Sequence, residues 1–307
     1  MIATLLILQL AASTDPVAPM RAQYRERLAR HDGLALQVRT NTYTAPLNAS
    51  PLDRSAWTNC SATPDVIHRV QRRGGIVACD TYAEDHAAPD GVRLIRTSFD
   101  GRTAVQGPFT SSDGRRAIYE TSDGATRGAF EEGGLCQALE VQLWDPTLPA
   151  GYNIADVLSE PDCKLVRRVG GVATFVASRV NPNRTLHFEV DLLADATPAR
   201  VKITFELPTE TVTSEQFIVA TRWINGVHVA TESVIVNHGF KRVAHRGIYH
   251  AVAESVERSD ASAEQLRNPI PSRNVIVRRV ELQSATPGTY TDEYDAEGRL
   301  MRSTKRP

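Results

Sequence analysis

Histidine is the side chain that titrates nearest neutrality, and half of the chain's eight histidines crowd one stretch: His228, His238, His245 and His250. On a strand, like-facing residues differ by an even number, so His245 and His250 point to opposite faces. His228 and His238 could share a face. This spacing reads as surface or hydrogen-bonded structural histidines rather than a metal site. The adjacent carboxylates Glu84-Asp85 and Glu131-Glu132 do not face one another as a general acid and base must, and they read as solvated charges. No nucleophile elbow, P-loop, dinucleotide fingerprint, zincin helix or EF-hand loop is present. The expectation is a non-enzymatic protein without a cofactor or a metal.

Cys60, Cys79, Cys136 and Cys163 are separated by 19, 57 and 27 residues, with no CxxC pair. Those gaps match no zinc-ribbon or finger spacing. Two disulfides are the natural reading in an exported chain. Of the three pairings, the sequential one, Cys60–Cys79 and Cys136–Cys163, is favoured; the alternative is four buried free thiols.

Export itself is read at the N-terminus. Ile2 to Leu10 is apolar apart from Thr4 and Gln9, and Ala11-Ala12-Ser13 offers small residues for a signal peptidase. The segment is shorter than the ~20 residues a spanning helix needs. Residues 1–13 therefore read as a signal peptide and residues 14–307 as a single domain, periplasmic or secreted. Formal net charge is −1, and lysine occurs only at 164, 202, 241 and 305. Without a basic excess, nucleic acid is not an expected partner.

The elements that would position these groups are mostly strands. Asp15-Pro16 opens a helix with Met20, Tyr24 and Leu28 four apart, ending near Gly33. Arg21, Arg25, Arg27 and Arg30 read as its solvated face. Leu34 to Tyr43 alternates with the period of a half-buried strand. Gly74-Gly75 joins Asp65–Arg73 to Ile76–Glu84. Asp-Gly pairs at 90, 100, 113 and 123 punctuate a meander of short strands. Ala129 to Leu143 and Ile154 to Leu158 read as helices. Leu186–Leu193, Val201–Leu207, the Asn225-Gly226 hairpin, Val252–Arg258 and Val275–Leu282 supply longer strands. Tyr294 to Leu300 matches one copy of a tyrosine-aspartate repeat, and a single copy reads as a hairpin bending at Glu297-Gly298.

This order of features resembles the family of periplasmic lipoprotein carriers related to LolA, in divergent form. The residues that carry it are the N-terminal helix with Tyr24 and Leu28 leading into Leu34–Tyr43, the strand ending Ser98-Phe99-Asp100-Gly101, and the short helix Ile154–Leu158. Leu186–Leu193 then turns through Pro198 into Val201–Leu207, and Pro287-Gly288-Thr289 with Asp292 resembles the family's last strand. The resemblance implies a mainly β (α+β) fold: an incomplete antiparallel β-barrel, or strongly curved sheet, with a few covering helices. It also implies a carrier of a lipophilic ligand, lipid or lipoprotein acyl chains, with peripheral contact to the envelope membrane. An apolar cavity would be lined by inward positions of the second half: Leu186, Phe188, Val190, Val201, Ile203, Phe205, Phe217, Val219 and Trp223. Two other classes stay open, an envelope scaffold without a cavity and a hydrolase with a scattered site.

Overall fold

A computed structural model describes residues 15–59, 66–83, 93–100, 103–111, 114–122, 154–181, 184–206, 211–238, 245–281 and 288–305. The apolar N-terminal run, the Asp-Gly pairs at 90 and 123, both carboxylate pairs, Ala129–Leu143, Cys60 and Cys136 lie outside these residues.

Helix α1 (Ala18–Arg30) begins after Pro16 and buries Met20, Tyr24 and Leu28, the i, i+4 row that its sequence presents. Gly33 ends the segment at φ +79°, where a Cβ would fall 2.8 Å from the Arg73 guanidinium. Strand β1 (Leu34–Pro46) follows, then β2 (Thr58–Asn59), β3 (Val66–Arg73), β4 (Ile76–Ala83), β5 (Arg93–Phe99), β6 (Ala104–Thr110) and β7 (Ala117–Ser122). After α2 (Ile154–Val157) come β8 (Lys164–Val169), β9 (Val172–Asn181), β10 (Arg184–Leu193), β11 (Pro198–Glu206), β12 (Thr211–Ile224), β13 (Val227–His238) and β14 (His245–Arg258). The short α3 (Ala263–Leu266) precedes β15 (Val275–Glu281), β16 (Gly288–Tyr294) and β17 (Leu300–Lys305). The Asn225-Gly226 turn has φ of +52° and +76°, the left-handed pair that a two-residue hairpin demands.

All seventeen strands belong to one sheet. From one edge, the pairings run β8, β9, β10, β11, β12, β13, β14, β1, β3, β4, β5, β6, β7, β15, β16, β17, with β2 beside the end of β1. Every pair is antiparallel except β7 with β15. Among the described residues β8 and β17 pair on one side only, so the sheet is curved and unclosed rather than a sealed barrel. The fold is the mainly β architecture expected.

Directly opposed residues share a face, so the registers trace each face across the sheet. One row runs Phe175, Val190, Val201, Gln216, Ile235, Tyr249 and Thr42. The face that it marks carries α1 and α2 and is called inner. The β13–β14 ladder stops at Glu232–Val252, while β12 and β13 stay paired to Ile224–Val227, past register shifts between Ile218 and Thr221. This free arm folds across the inner face, where Ile224, Val227 and Val229 pack with Leu34, Leu36, Val38, Val70 and Cys79. Bulges supply the bend.

Two expectations are corrected. Cys79 and Cys163 are free thiols, so neither Cys60–Cys79 nor Cys136–Cys163 forms. Cys79 stands on β4 directly across from Val70 of β3. The disulfide argument for export falls with the pairing. Of the α1 arginines, Arg25 and Arg30 are exposed as expected, Arg21 is half-buried, and Arg27 is buried, 3% exposed. Arg21 Nε donates to the Leu158 carbonyl at 2.7 Å, Arg25 to Ser159 Oγ at 3.4 Å, Arg27 to the His228 carbonyl at 3.0 Å and Arg30 to the Gly226 carbonyl at 2.9 Å. They clamp the helix to the α2 segment at one end and to the β12–β13 arm at the other.

Candidate functional site

The inner face changes character along its length. Over β9, β10 and β11 it is an apolar wall: Ala173, Phe175 and Ala177, then Leu186, Phe188, Val190 and Leu192, then Val201 and Ile203. Val17, Met20, Tyr24 and Leu28 of the α1 segment cover it with Ile154, Val157 and Leu158. Fully burying one such side chain contributes about 1.5–3 kcal/mol, so this packing is the main force holding the helices down. The arginine clamps fix where they sit.

Next to the wall the same face turns polar. Gln216 lies directly across from Val201, and Ser233 across from Ile218. Gln216 Nε2 and Ser233 Oγ are buried and make no hydrogen bond. Beyond β1, Thr97 and Gln106 oppose one another on β5 and β6, and Thr97 Oγ1 and Gln106 Oε1 are also buried without partners. An unmet buried polar group costs roughly 1–3 kcal/mol. Between the two sets, His68 lies with Nε2 3.3 Å from Thr40 Oγ1 and Nδ1 3.2 Å from Thr81 Oγ1. Burial lowers the His68 pKa to about 4. Cys79 Sγ stands 3.8 Å from His68 Nδ1, but burial pushes the thiol up to about 12, so it is no thiolate nucleophile.

Of the nine positions expected to face inward, the structure brings Leu186, Phe188, Val190, Val201 and Ile203 together in the wall, with Phe205 half-buried at its rim. Phe217 is on the other face, packed with Val234 and Val236, because Gln216 is the residue of β12 that faces Val201. Val219 falls in the irregular stretch of β12 and is 43% exposed; Trp223, on the arm, is 60% exposed. Sequence reasoning missed Gln216 and Ser233. Their only signal was the alternation on β12, where Phe217, Val219 and Trp223 look like the apolar phase.

The outer face holds much of the remaining chemistry. His250 Nε2 is 2.7 Å from Glu232 Oε1 and its ring meets Trp57 edge-on. Off that face, His228 on the arm packs edge-on against Trp223, and His245, across from Pro46 on the inner phase of β14, is exposed. A groove of about 310 Å³ over β9–β11 is lined by Ser178, His187, Lys164 and Lys202 among others. There Ser178 Oγ lies 3.1 Å from His187 Nδ1, and His187 Nε2 3.2 Å from Glu206. Among the described residues no group of three or more His, Cys, Asp or Glu could hold a metal ion, and no helix is long and apolar enough to cross a membrane.

No family model matches the chain, and no curated protein matches it. Among solved structures, it is similar to a LolA superfamily protein from Nitrosomonas europaea, at 12% identity and TM-score 0.44, over 82% of this chain and 97% of the other. It is also similar to a DUF1329 family protein from Desulfovibrio piger, at 10% identity and TM-score 0.43, over 83% of this chain and 100% of the other.

Proposed function

We propose that the protein is a non-enzymatic envelope carrier for an amphiphilic ligand, a lipid or the acyl chains of a lipoprotein, with α1 and α2 as its lid. The observation that carries this is the two-part inner face. An apolar wall of Leu186, Phe188, Val190, Val201 and Ile203 lies under two helices and runs straight into the unpartnered Gln216 Nε2 and Ser233 Oγ. A core that served only stability would place apolar atoms or paired groups there. An amphiphile satisfies both parts, its chain on the wall and its polar end on the amide and hydroxyl. As a lid, α1 and α2 would be held mainly by their apolar contacts with the wall, which acyl chains could replace with apolar contacts of their own.

The test is mass spectrometry of lipid extracted from natively purified protein, together with titration of a fluorescent acyl probe. Retained lipid and saturable binding are expected. Protein that carries no lipid and binds no probe defeats the reading and leaves a scaffold.

A hydrolase reading has one observation in its favour, the Ser178–His187–Glu206 relay. The Ser178 amide, however, donates to Asp162 at 2.9 Å. That removes one donor for a developing oxyanion and puts a carboxylate beside it, where acyl transfer needs the opposite. Hydrolysis of a p-nitrophenyl ester that disappears in Ser178→Ala would restore this reading.

A further inference from the structure

Arg246 opens the outer face of β14, directly across from Ala45 of β1. The residue is only 6% exposed, and its Nε and Nη2 are buried without a hydrogen-bond partner. Those two nitrogens form one edge of the guanidinium plane, and their N–H bonds run parallel. That edge is the fork that grips a carboxylate or phosphate through two hydrogen bonds at once.

Its surroundings make the lack of a partner costly. Ala45 belongs to an apolar cluster with Ile248, Val234 and Val236, against which Tyr43, Trp57 and Phe217 pack. In so apolar a setting an uncompensated cation is far more expensive than an unpaired hydroxyl. Among the described residues, Glu215 and Glu232, the acids bordering the cluster, are already committed. Glu215, across from Val236, holds Arg200 at 3.0 Å. Glu232 holds His250 at 2.7 Å and also pairs with Arg54. Arg200 meanwhile takes Glu189 and Asp191 as well, so it gathers three carboxylates. Negative charge is thus concentrated on one arginine of this face and withheld from another. The residue across from the fork is alanine, which offers no partner of its own.

We propose that Arg246 is the receptor of a second ligand site, which takes an oxyanion of carboxylate or phosphate type side-on through Nε–H and Nη2–H. The site lies on the face opposite the apolar wall and does not depend on the carrier reading. Because both N–H groups are shut off from solvent, the anion exchanges slowly, and occupancy raises the stability of the whole sheet through β14 and β1. Two sources share this chemistry, a free small anion and the head group of an anionic amphiphile.

The full chain, equilibrated in chloride, is titrated with inorganic phosphate and, separately, with dodecyl phosphate below its micellar concentration. The melting temperature and the binding heat are read at constant ionic strength. A saturable rise in Tm with either ligand is expected, and it should be absent in Arg246→Met. Arg246→Lys keeps the charge but loses the fork, and should bind about tenfold or more weakly. Dodecyl phosphate binding about tenfold tighter than phosphate identifies a head group, and equal binding identifies a free anion. Wild-type protein giving no heat and no shift overturns the proposal, even if Arg246→Met does not fold. An equal shift in wild type and Arg246→Met overturns it too. Arg246→Met should also be at least as stable as anion-free wild type; a marked loss would mean that the fold itself satisfies the guanidinium.

Discussion

Two histidines and two cysteines carry most of what single residues impose on this fold. His31 is fully buried at the end of α1, with Nδ1 2.8 Å from the Arg27 carbonyl. Burial, reinforced by the charge of Arg27, lowers its pKa to about 3, and burial takes His68 to about 4. Both are held neutral in the folded chain, whereas in the unfolded chain they protonate near 6.5. Between those values the unfolded state binds more protons, so stability is complete above about pH 6.5 and falls as pH drops toward 4 and then 3. Each histidine contributes a slope of up to about 1.4 kcal/mol per pH unit in that window. Urea midpoints between pH 7 and pH 5 should therefore fall in wild type, and fall less in His31→Gln and His68→Gln. Equal pH dependence in all three would contradict the burial of both rings. The thiols make a second check. Burial pushes Cys79 up to about 12 and Cys163 up to about 11. At pH 8 in native protein, an alkylating reagent should leave Cys79 untouched, with labelling appearing only on unfolding. A native peptide map with Cys79 in a disulfide would refute this.

At the scale of elements, α1 is the lid of the proposed carrier. Arg21 and Arg27 tie its two ends to the Leu158 and His228 carbonyls, and Tyr24 is fully buried between. Arg21→Gln with Arg27→Gln should loosen the lid while leaving the strands intact. Amide exchange should quicken across residues 18–30 but not in β10 and β11, and the acyl probe should associate faster. Unchanged exchange, or a loss spread over the whole sheet, would deny the helix a lid's independence. None of the clamps was legible in the sequence, because an arginine on a helix looks the same whether it meets water or a carbonyl 137 residues away, as Arg21 does. What local signals encode was legible. The helix with Tyr24 and Leu28, the alternating β10 and β11, and the Asn225-Gly226 turn all follow from periodicity and turn chemistry. The β8–β9 hairpin was not anticipated, although Gly170 and Gly171 both adopt positive φ at its turn. The inner phase of β12 was read one residue out. Phe217 is the more apolar residue, but the register puts Gln216 across from Val201, and the irregularity near Val219 is set by the arm's long-range packing.

At the scale of the molecule, everything meets on β1. It pairs with β14 along its whole length and with β3 from Ala35 to Thr40, so it joins the half bearing the apolar wall to the half ending at β17. Its inner residues Leu34, Leu36 and Val38 anchor the cluster that also receives Val70 and Cys79 from one half and Val227 and Val229 from the other. An open sheet of this size could unfold from either edge, as a stack of repeats does. The shared cluster argues instead for one cooperative unit. Leu36 faces Val256 on β14 and Val70 on β3, so truncating it empties the seam from both sides. Leu36→Ala should cost about 2–5 kcal/mol. The loss should register together in far-UV circular dichroism, which follows the whole sheet, and, with Trp144 replaced by Phe in every variant, in the fluorescence of Trp57 and Trp223, which sit in the β1–β14 half. Val190→Ala, within the wall alone, should lower the midpoint while keeping the two signals coincident. If either substitution splits the transition, so that the tryptophan signal moves and a large part of the circular dichroism does not, then β1 joins two independent folding units. The lid, the wall and the polar stripe would then have to be understood without the β3–β7 half.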